Sequence, residues 1–139
     1  MAGVPVGRLL PPAPSPTPPP AGSCIGIVLT DAPVDSAACA RLARRIGLGL
    51  ARTGSTAHHG SGEIFLAAST TCRLDRDGNV VEPPKVSGRG LDSLFEAVVD
   101  ASEEAVLDSM LQSRTMVGRD GNTSEGLDPD VVLDLLKRR

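Results

Sequence analysis

The 139-residue sequence predicts a layered α/β protein with its helices packed outside its sheets. Three observations carry that expectation. Cys24 to Thr30, CIGIVLT, is apolar without alternation, the pattern of a strand covered on both faces. Ala38, Leu42, Ile46 and Leu50 recur four residues apart, which gives a helix one apolar face. Residues 91–112 carry a second, longer stripe of the same kind.

The elements follow in order. Residues 1–22 read as a strand remnant followed by a proline-rich linker, and 23–139 as the domain proper. The tract at 11–20, PPAPSPTPPP, favours extended polyproline II. At about 3.1 Å per residue its ten residues would span roughly 30 Å, the reach of a spacer. The strand at 24–30 stops at Asp31-Ala32-Pro33. Asp35 is a candidate N-cap for a helix over 36–50. Arg41, Arg44 and Arg45 lie off its apolar stripe, Gly47 and Gly49 weaken its last turn, and Gly54 closes it. A loop, STAHHGSG, leads to a second strand near 63–69. Asp-Gly turn chemistry at 73–78 and the Val80-Val81 pair suggest a hairpin, and 82–90 is a loop. In the helix over 91–112 the stripe is Leu91, Leu94, Phe95, Val98, Ala101, Ala105 and Met110, with Glu96, Asp100, Glu103, Glu104 and Asp108 solvated. Gly118 to Gly121 form a turn, and a terminal helix over 129–138 ends in Lys137-Arg138-Arg139.

Composition excludes several classes of function. Two Phe with no Trp or Tyr leave no aromatic surface on which bases could stack. A net charge of −3 without a basic cluster argues against nucleic acid. Cys24, Cys39 and Cys72 form no CxxC pair, so neither zinc nor a disulfide framework is expected. MAGVPVGRLL lacks the apolar core of a signal peptide, and no run approaches the roughly 18 apolar residues of a membrane span. A reduced, cytoplasmic setting is the expectation.

Three chemistries are then open to the polar residues. His58-His59 beside Ser61 and Glu63 invites a Ser-His-acid reading. Gly60-Ser61-Gly62 is too tight for a nucleophile elbow, however, and it precedes a strand. Gly54, Gly60 and Gly62 suggest a phosphate cradle, but no Lys-Ser/Thr follows and no helix opens there. Gly22-Ser23, at the head of a buried strand, offers the third. A serine hydroxyl can attack the carbonyl before it and convert the peptide to an ester, and glycine tolerates the backbone angles this needs. Hydrolysis would leave Ser23 as a new N-terminus. An α-amine ordinarily titrates at about 7.7–8.0, so this one could serve as base for its own hydroxyl. Ser61 and Glu63, two apart, project to the same side of an extended segment. If their strand pairs beside the first, both would meet Ser23.

Six stretches in order resemble the L-aminopeptidase/D-esterase family, which includes the β-peptidyl aminopeptidases. They are AGVPVGRLL (2–10), GSCIGIVLTDAP (22–33), RLARRIGLGLARTGS (41–55), HGSGEIFLAAST (59–70), LFEAVVDASEEAVLDSM (94–110) and TMVGRDG (115–121). The resemblance implies an autoprocessing serine hydrolase of the N-terminal-nucleophile type, cut between Gly22 and Ser23. It implies Ser23 as nucleophile, with Ser61 and Glu63 in support. It implies release of N-terminal residues from peptides, amides or esters through an acyl-enzyme, with no cofactor and no metal. The fold implied is an α-β-β-α sandwich similar to that of the ornithine acetyltransferases, incomplete in this chain.

Family members carry a much longer part before the cut, which supplies much of the sandwich, an oxyanion-site asparagine and pocket-lining residues. Only 22 residues precede Ser23 here. Losing one oxyanion donor typically costs about 10²–10³ in rate. The chain alone is therefore expected to be partial or inactive, and to need a family N-terminal part and homo-oligomer contacts. An acetyltransferase-like acyltransferase is the first alternative, although those relatives use threonine at the cut. A non-catalytic association module is the second.

Overall fold

The computed structural model describes residues 1, 3–11 and 22–138. The proline tract expected as a spacer falls almost wholly outside them, as does Arg139. The element order is α1 (Val6–Leu9), β1 (Ile25–Thr30), α2 (Ser36–Arg52), β2 (Ile64–Ser69), β3 (Arg73–Leu74), β4 (Val80–Val81), α3 (Asp92–Gln112), β5 (Met116–Val117), β6 (Thr123–Ser124) and α4 (Pro129–Lys137). The chain falls into two compact units, Pro20–Glu104 and Met1–Pro19 with Ala105–Arg139.

The unit Pro20–Glu104 is organised by a β-α-β crossover. Asp35 caps α2 as expected, its Oδ1 accepting from Ala38 N at 2.8 Å. Ala38, Leu42, Ile46 and Leu50 are all buried, as the periodicity predicts. Each of the larger three contributes about 1.5–3 kcal/mol by burial. α2 packs across β1 and β2, which run parallel with Ile25 opposite Ile64 and Thr30 opposite Ser69. A connection of this length is what parallel strands require.

The strand pair is not covered on both faces. Ile25, Ile27 and Leu29 of β1 are 71%, 61% and 73% exposed, and Ile64 and Leu66 of β2 are 63% and 57% exposed. Their intervening neighbours turn towards α2 and are half-buried. The unalternating apolar run is thus present, but only its α2 side has a partner among the described residues.

α3 differs in part from its expected stripe. Leu91, Val98 and Val99 are buried, whereas Ala101, Ala105 and Met110 are exposed. The reason lies in α2, where Gly49 comes against Val99 O, Ser102 Cβ and Glu103 N. That close approach rotates Ser102 and Glu103 into the contact. Glu103, expected in solvent, shares Arg52 with Asp100. The expected hairpin is present as antiparallel β3 and β4. The Asp75 carboxylate accepts from Asp77 N, Asn79 N and Asn79 Nδ2. The Asn79 side chain foremost holds that carboxyl below its ordinary pKa.

In the other unit, residues 6–9 form one helical turn where a strand remnant was expected. Pro5, at φ −79°, leads into the turn, and Val6 is buried with the turn packed on α4. An isolated strand would have left its backbone groups unpaired. α4 begins as the sequence suggests, with Asp128 accepting from Asp130 N and Pro129 at the first position. β5 and β6 are antiparallel around Gly118–Gly121, where Asp120 takes the left-handed φ of 60°.

Candidate active site

The parallel pairing brings together the starts of β1 and β2. Ile64 N donates to Cys24 O at 2.9 Å, so the residues just before each strand are neighbours. Those residues are Gly22 and Ser23 on one side, and Ser61, Gly62 and Glu63 on the other. A tight turn delivers Ser61, whose N–H donates to His58 O at 2.7 Å. His58 enters the site only through that main-chain carbonyl, and both His58 and His59 are exposed.

Three hydrogen bonds define the cluster. Ser61 Oγ donates to Gly22 O, the carbonyl of the Gly22–Ser23 peptide, at 3.0 Å. Glu63 Oε1 is the second partner of Ser61 Oγ. Gly62 N–H donates to Ser23 Oγ at 3.2 Å. Ser23 and Gly22 are exposed, while Ser61 and Glu63 are half-buried.

The expected trio therefore meets, but not in the expected pattern. Among the described residues neither Ser61 nor Glu63 hydrogen-bonds the Ser23 hydroxyl. Ser61 reaches the carbonyl before it, and Gly62, which sequence reasoning passed over, holds the hydroxyl itself. A Cβ on Gly62 would lie 3.3 Å from Ser23 Oγ. The missing side chain is what leaves room for the main chain to approach. Ser61 has one proton and two acceptors, so it serves Gly22 O and Glu63 one at a time.

A cavity of about 580 Å³ opens at the other end of the two strands, beside Val34, Cys39, Phe65, Ser69 and Cys72. None of Ser23, Ser61 and Glu63 borders it. Cys24 is half-buried at the head of β1, and Cys39 and Cys72 are also free thiols.

The match to peptidase family S58 runs over residues 1–124. The chain belongs to peptidase family S58. It is 34% identical over 120 residues to the beta-peptidyl aminopeptidase BapA of Sphingosinicella xenopeptidilytica, covering 84% of this chain and 30% of that relative. Among solved structures, a Pyrococcus horikoshii OT3 protein is 35% identical with a TM-score of 0.81, covering 99% of this chain and 38% of that one. The L-aminopeptidase D-Ala-esterase/amidase of Ochrobactrum anthropi is described as a prototype of the serine aminopeptidases and a variant of the Ntn hydrolase fold. It is 28% identical with a TM-score of 0.70, covering 81% of this chain and 33% of that one. This S58 chain thus spans about a third of the length of each of these relatives.

Proposed function

We propose that this chain carries the nucleophile-bearing segment of an autoprocessing serine aminopeptidase, with the cut between Gly22 and Ser23. The observation that carries the reading is the hydrogen bonding across that peptide. Ser61 Oγ donates to the carbonyl oxygen that would become negative, and Gly62 N–H donates to the hydroxyl oxygen that would attack. A donor at the carbonyl oxygen, where negative charge develops, is what acyl transfer requires, and the Gly62 N–H fixes where the hydroxyl sits.

The chemistry balances without further reactants than water. Ser23 Oγ bonds to the Gly22 carbonyl carbon, the Gly22–Ser23 C–N bond breaks, and the hydroxyl proton ends on the departing nitrogen. Water then hydrolyses the ester, leaving a Gly22 carboxylate and a free Ser23 amine. An α-amine, which ordinarily titrates at about 7.7–8.0, takes the Ser23 hydroxyl proton in the next cycle. Ser23 Oγ acylates on the carbonyl of a substrate's N-terminal residue, the amine or alcohol departs, and water releases the acyl group. Substrates are small peptides, amides or esters. Glu63 holds Ser61 in place through its carboxylate and stabilises positive charge on the amine.

The active form includes a family N-terminal part and homo-oligomer contacts. It completes an α-β-β-α sandwich of the ornithine acetyltransferase kind, in a cytoplasmic setting. The uncovered apolar face of β1 and β2 supports a further family segment laid against it. The match to a peptidase family favours neither the acyltransferase nor the association-module alternative.

The test is expression of the chain alone and together with a family N-terminal part, read by intact mass and N-terminal sequencing. The expected outcome is a species beginning at Ser23 in the co-expressed form, absent from Ser23→Ala, with hydrolysis of a peptide amide. A chain that stays whole at 139 residues in both arms overturns the reading.

A further inference from the structure

We propose that Arg41 and Arg45 of α2 form a binding site for a phosphate dianion, free or as a monoester, separate from Ser23, Ser61 and Glu63. The two residues are one helical turn apart and share one ring. The Arg45 guanidinium carbon lies 3.9 Å from the Phe95 centroid, and that of Arg41 lies 4.9 Å from the same point. Both cations are therefore held to one side chain of α3 by attraction to its ring. The two guanidinium groups thus end beside the same ring, within reach of one ligand placed there. Arg45 Nη1 also donates to Arg41 O at 3.1 Å, which further fixes its direction.

Among the described residues no carboxylate answers these charges. Among the described residues, the ion pairs involve Arg52, Lys85, Arg119 and Lys137, and neither Arg41 nor Arg45 has an acidic oxygen within 4.0 Å. The contrast with Arg52 is direct, because it lies on the same helix and takes both Asp100 and Glu103 of α3. Asp92 and Glu96 flank Phe95 in sequence without pairing to either arginine. Arg44, exposed in the same turn, adds a third cation.

The geometry also leaves the donors open. Attraction to a ring does not use up the five N–H donors of a guanidinium. Arg45 spends one of them on Arg41 O, and Arg41 spends none among the described residues. Two fork-shaped donors on neighbouring turns suit the oxygens of one tetrahedral anion. Charge sets the class of ligand, since two cations match one dianion whereas a single carboxylate would neutralise only one of them.

The test uses the whole chain at pH 7.5 with ionic strength held constant by sodium chloride. Sodium phosphate and O-phosphoserine are titrated separately, and arginine side-chain NMR shifts and melting temperature are read. The expected result is saturable movement of the Arg41 and Arg45 resonances with a rise in melting temperature. R41Q/R45Q, with its fold checked by circular dichroism, is expected to bind about tenfold or more weakly, the worth of a lost charge-assisted bond. R52Q is expected to bind as the unaltered chain does. Binding of both compounds identifies a general phosphate site, and binding of phosphoserine alone identifies a monoester site. Absence of saturation with both, or equal affinity in R41Q/R45Q, overturns the proposal.

Discussion

The smallest feature with a large consequence is the absence of a side chain at position 62. Gly62 N–H donates to Ser23 Oγ at 3.2 Å, and an added Cβ would stand 3.3 Å from that oxygen, tighter than ordinary carbon contacts. In Gly62→Ala the methyl group presses on the Ser23 hydroxyl, which must give by a few tenths of an ångström and loosens its seat on the Gly62 amide. A misplacement on the order of 1 Å can cost about a hundredfold in an acyl-transfer step. With a displacement of only a few tenths of an ångström, we expect Gly62→Ala, complemented by a family N-terminal part, to cleave at Gly22–Ser23 more slowly by up to roughly tenfold. Its melting temperature should be unchanged, because Gly62 lies outside the buried core. Cleavage at the unaltered rate would remove the Gly62 amide from the mechanism. That Ser23, Ser61 and Glu63 stand near one another was legible beforehand, because the two-residue spacing and the expected strand pairing put them together and family likeness marks their positions. Gly62 was not, because a main-chain donor leaves no mark in a sequence except the side chain it lacks.

Among the elements, α2 shows how one residue type takes opposite roles two positions apart. Read as a helix alone, Gly47 and Gly49 both look like weaknesses in its last turn. In the structure, a Cβ at Gly47 would meet Phe65 Cε2 at 3.4 Å, an ordinary contact. At Gly49 it would meet Ser102 Cβ at 2.5 Å, Val99 O at 2.7 Å and Glu103 N at 2.9 Å. Two of these are main-chain atoms of α3 and cannot swing aside. Replacing glycine by alanine inside a helix ordinarily gains up to about 1 kcal/mol. Overpacking costs about 1–3 kcal/mol and decides the sign at position 49. Urea unfolding should therefore show Gly47→Ala neutral or more stable, and Gly49→Ala less stable by about 1–2 kcal/mol at an unchanged m-value. Equal behaviour of the two variants would mean that α2 and α3 do not cross at Gly49. The stripe of α2 was readable because Ala38, Leu42, Ile46 and Leu50 follow the helical period without competition. Half the stripe of α3 was not, because Ser102 and Glu103 enter its contact only through the gap that Gly49 leaves. A polar residue facing a glycine has no hydrophobic signature.

At the scale of the whole molecule, the unanswered feature is the apolar face formed by β1 and β2. Ile25 stands opposite Ile64 and Ile27 opposite Leu66, and Leu29 continues the row, all more than half exposed. Two six-residue strands are about 20 Å long and about 5 Å apart, a footprint of roughly 200 Å² with side-chain width included. A stable interface needs about 800 Å² per partner. A second copy laid on this face alone is therefore too small a cover, and a longer polypeptide that wraps the strands and their edges fits better. An unalternating strand sequence had pointed to cover on both sides, which is a statement about an assembly more than about one chain. The prediction is that I27K/L66Q leaves the isolated chain folded, because neither residue is in its core. The same pair of changes should abolish co-purification with a family N-terminal part and with it cleavage at Gly22–Ser23. The measurement is affinity capture of the co-expressed parts beside circular dichroism of the chain alone. An I27K/L66Q chain that still captures the N-terminal part and is still cut would place the covering segment elsewhere. Loss of the circular dichroism signal would instead show that this face already supports the chain's own fold. Retained fold with lost capture would tie assembly of the site at Ser23 to the exposed face of the same two strands, on which Ile25, Ile27 and Leu29 alternate in step with Ser23.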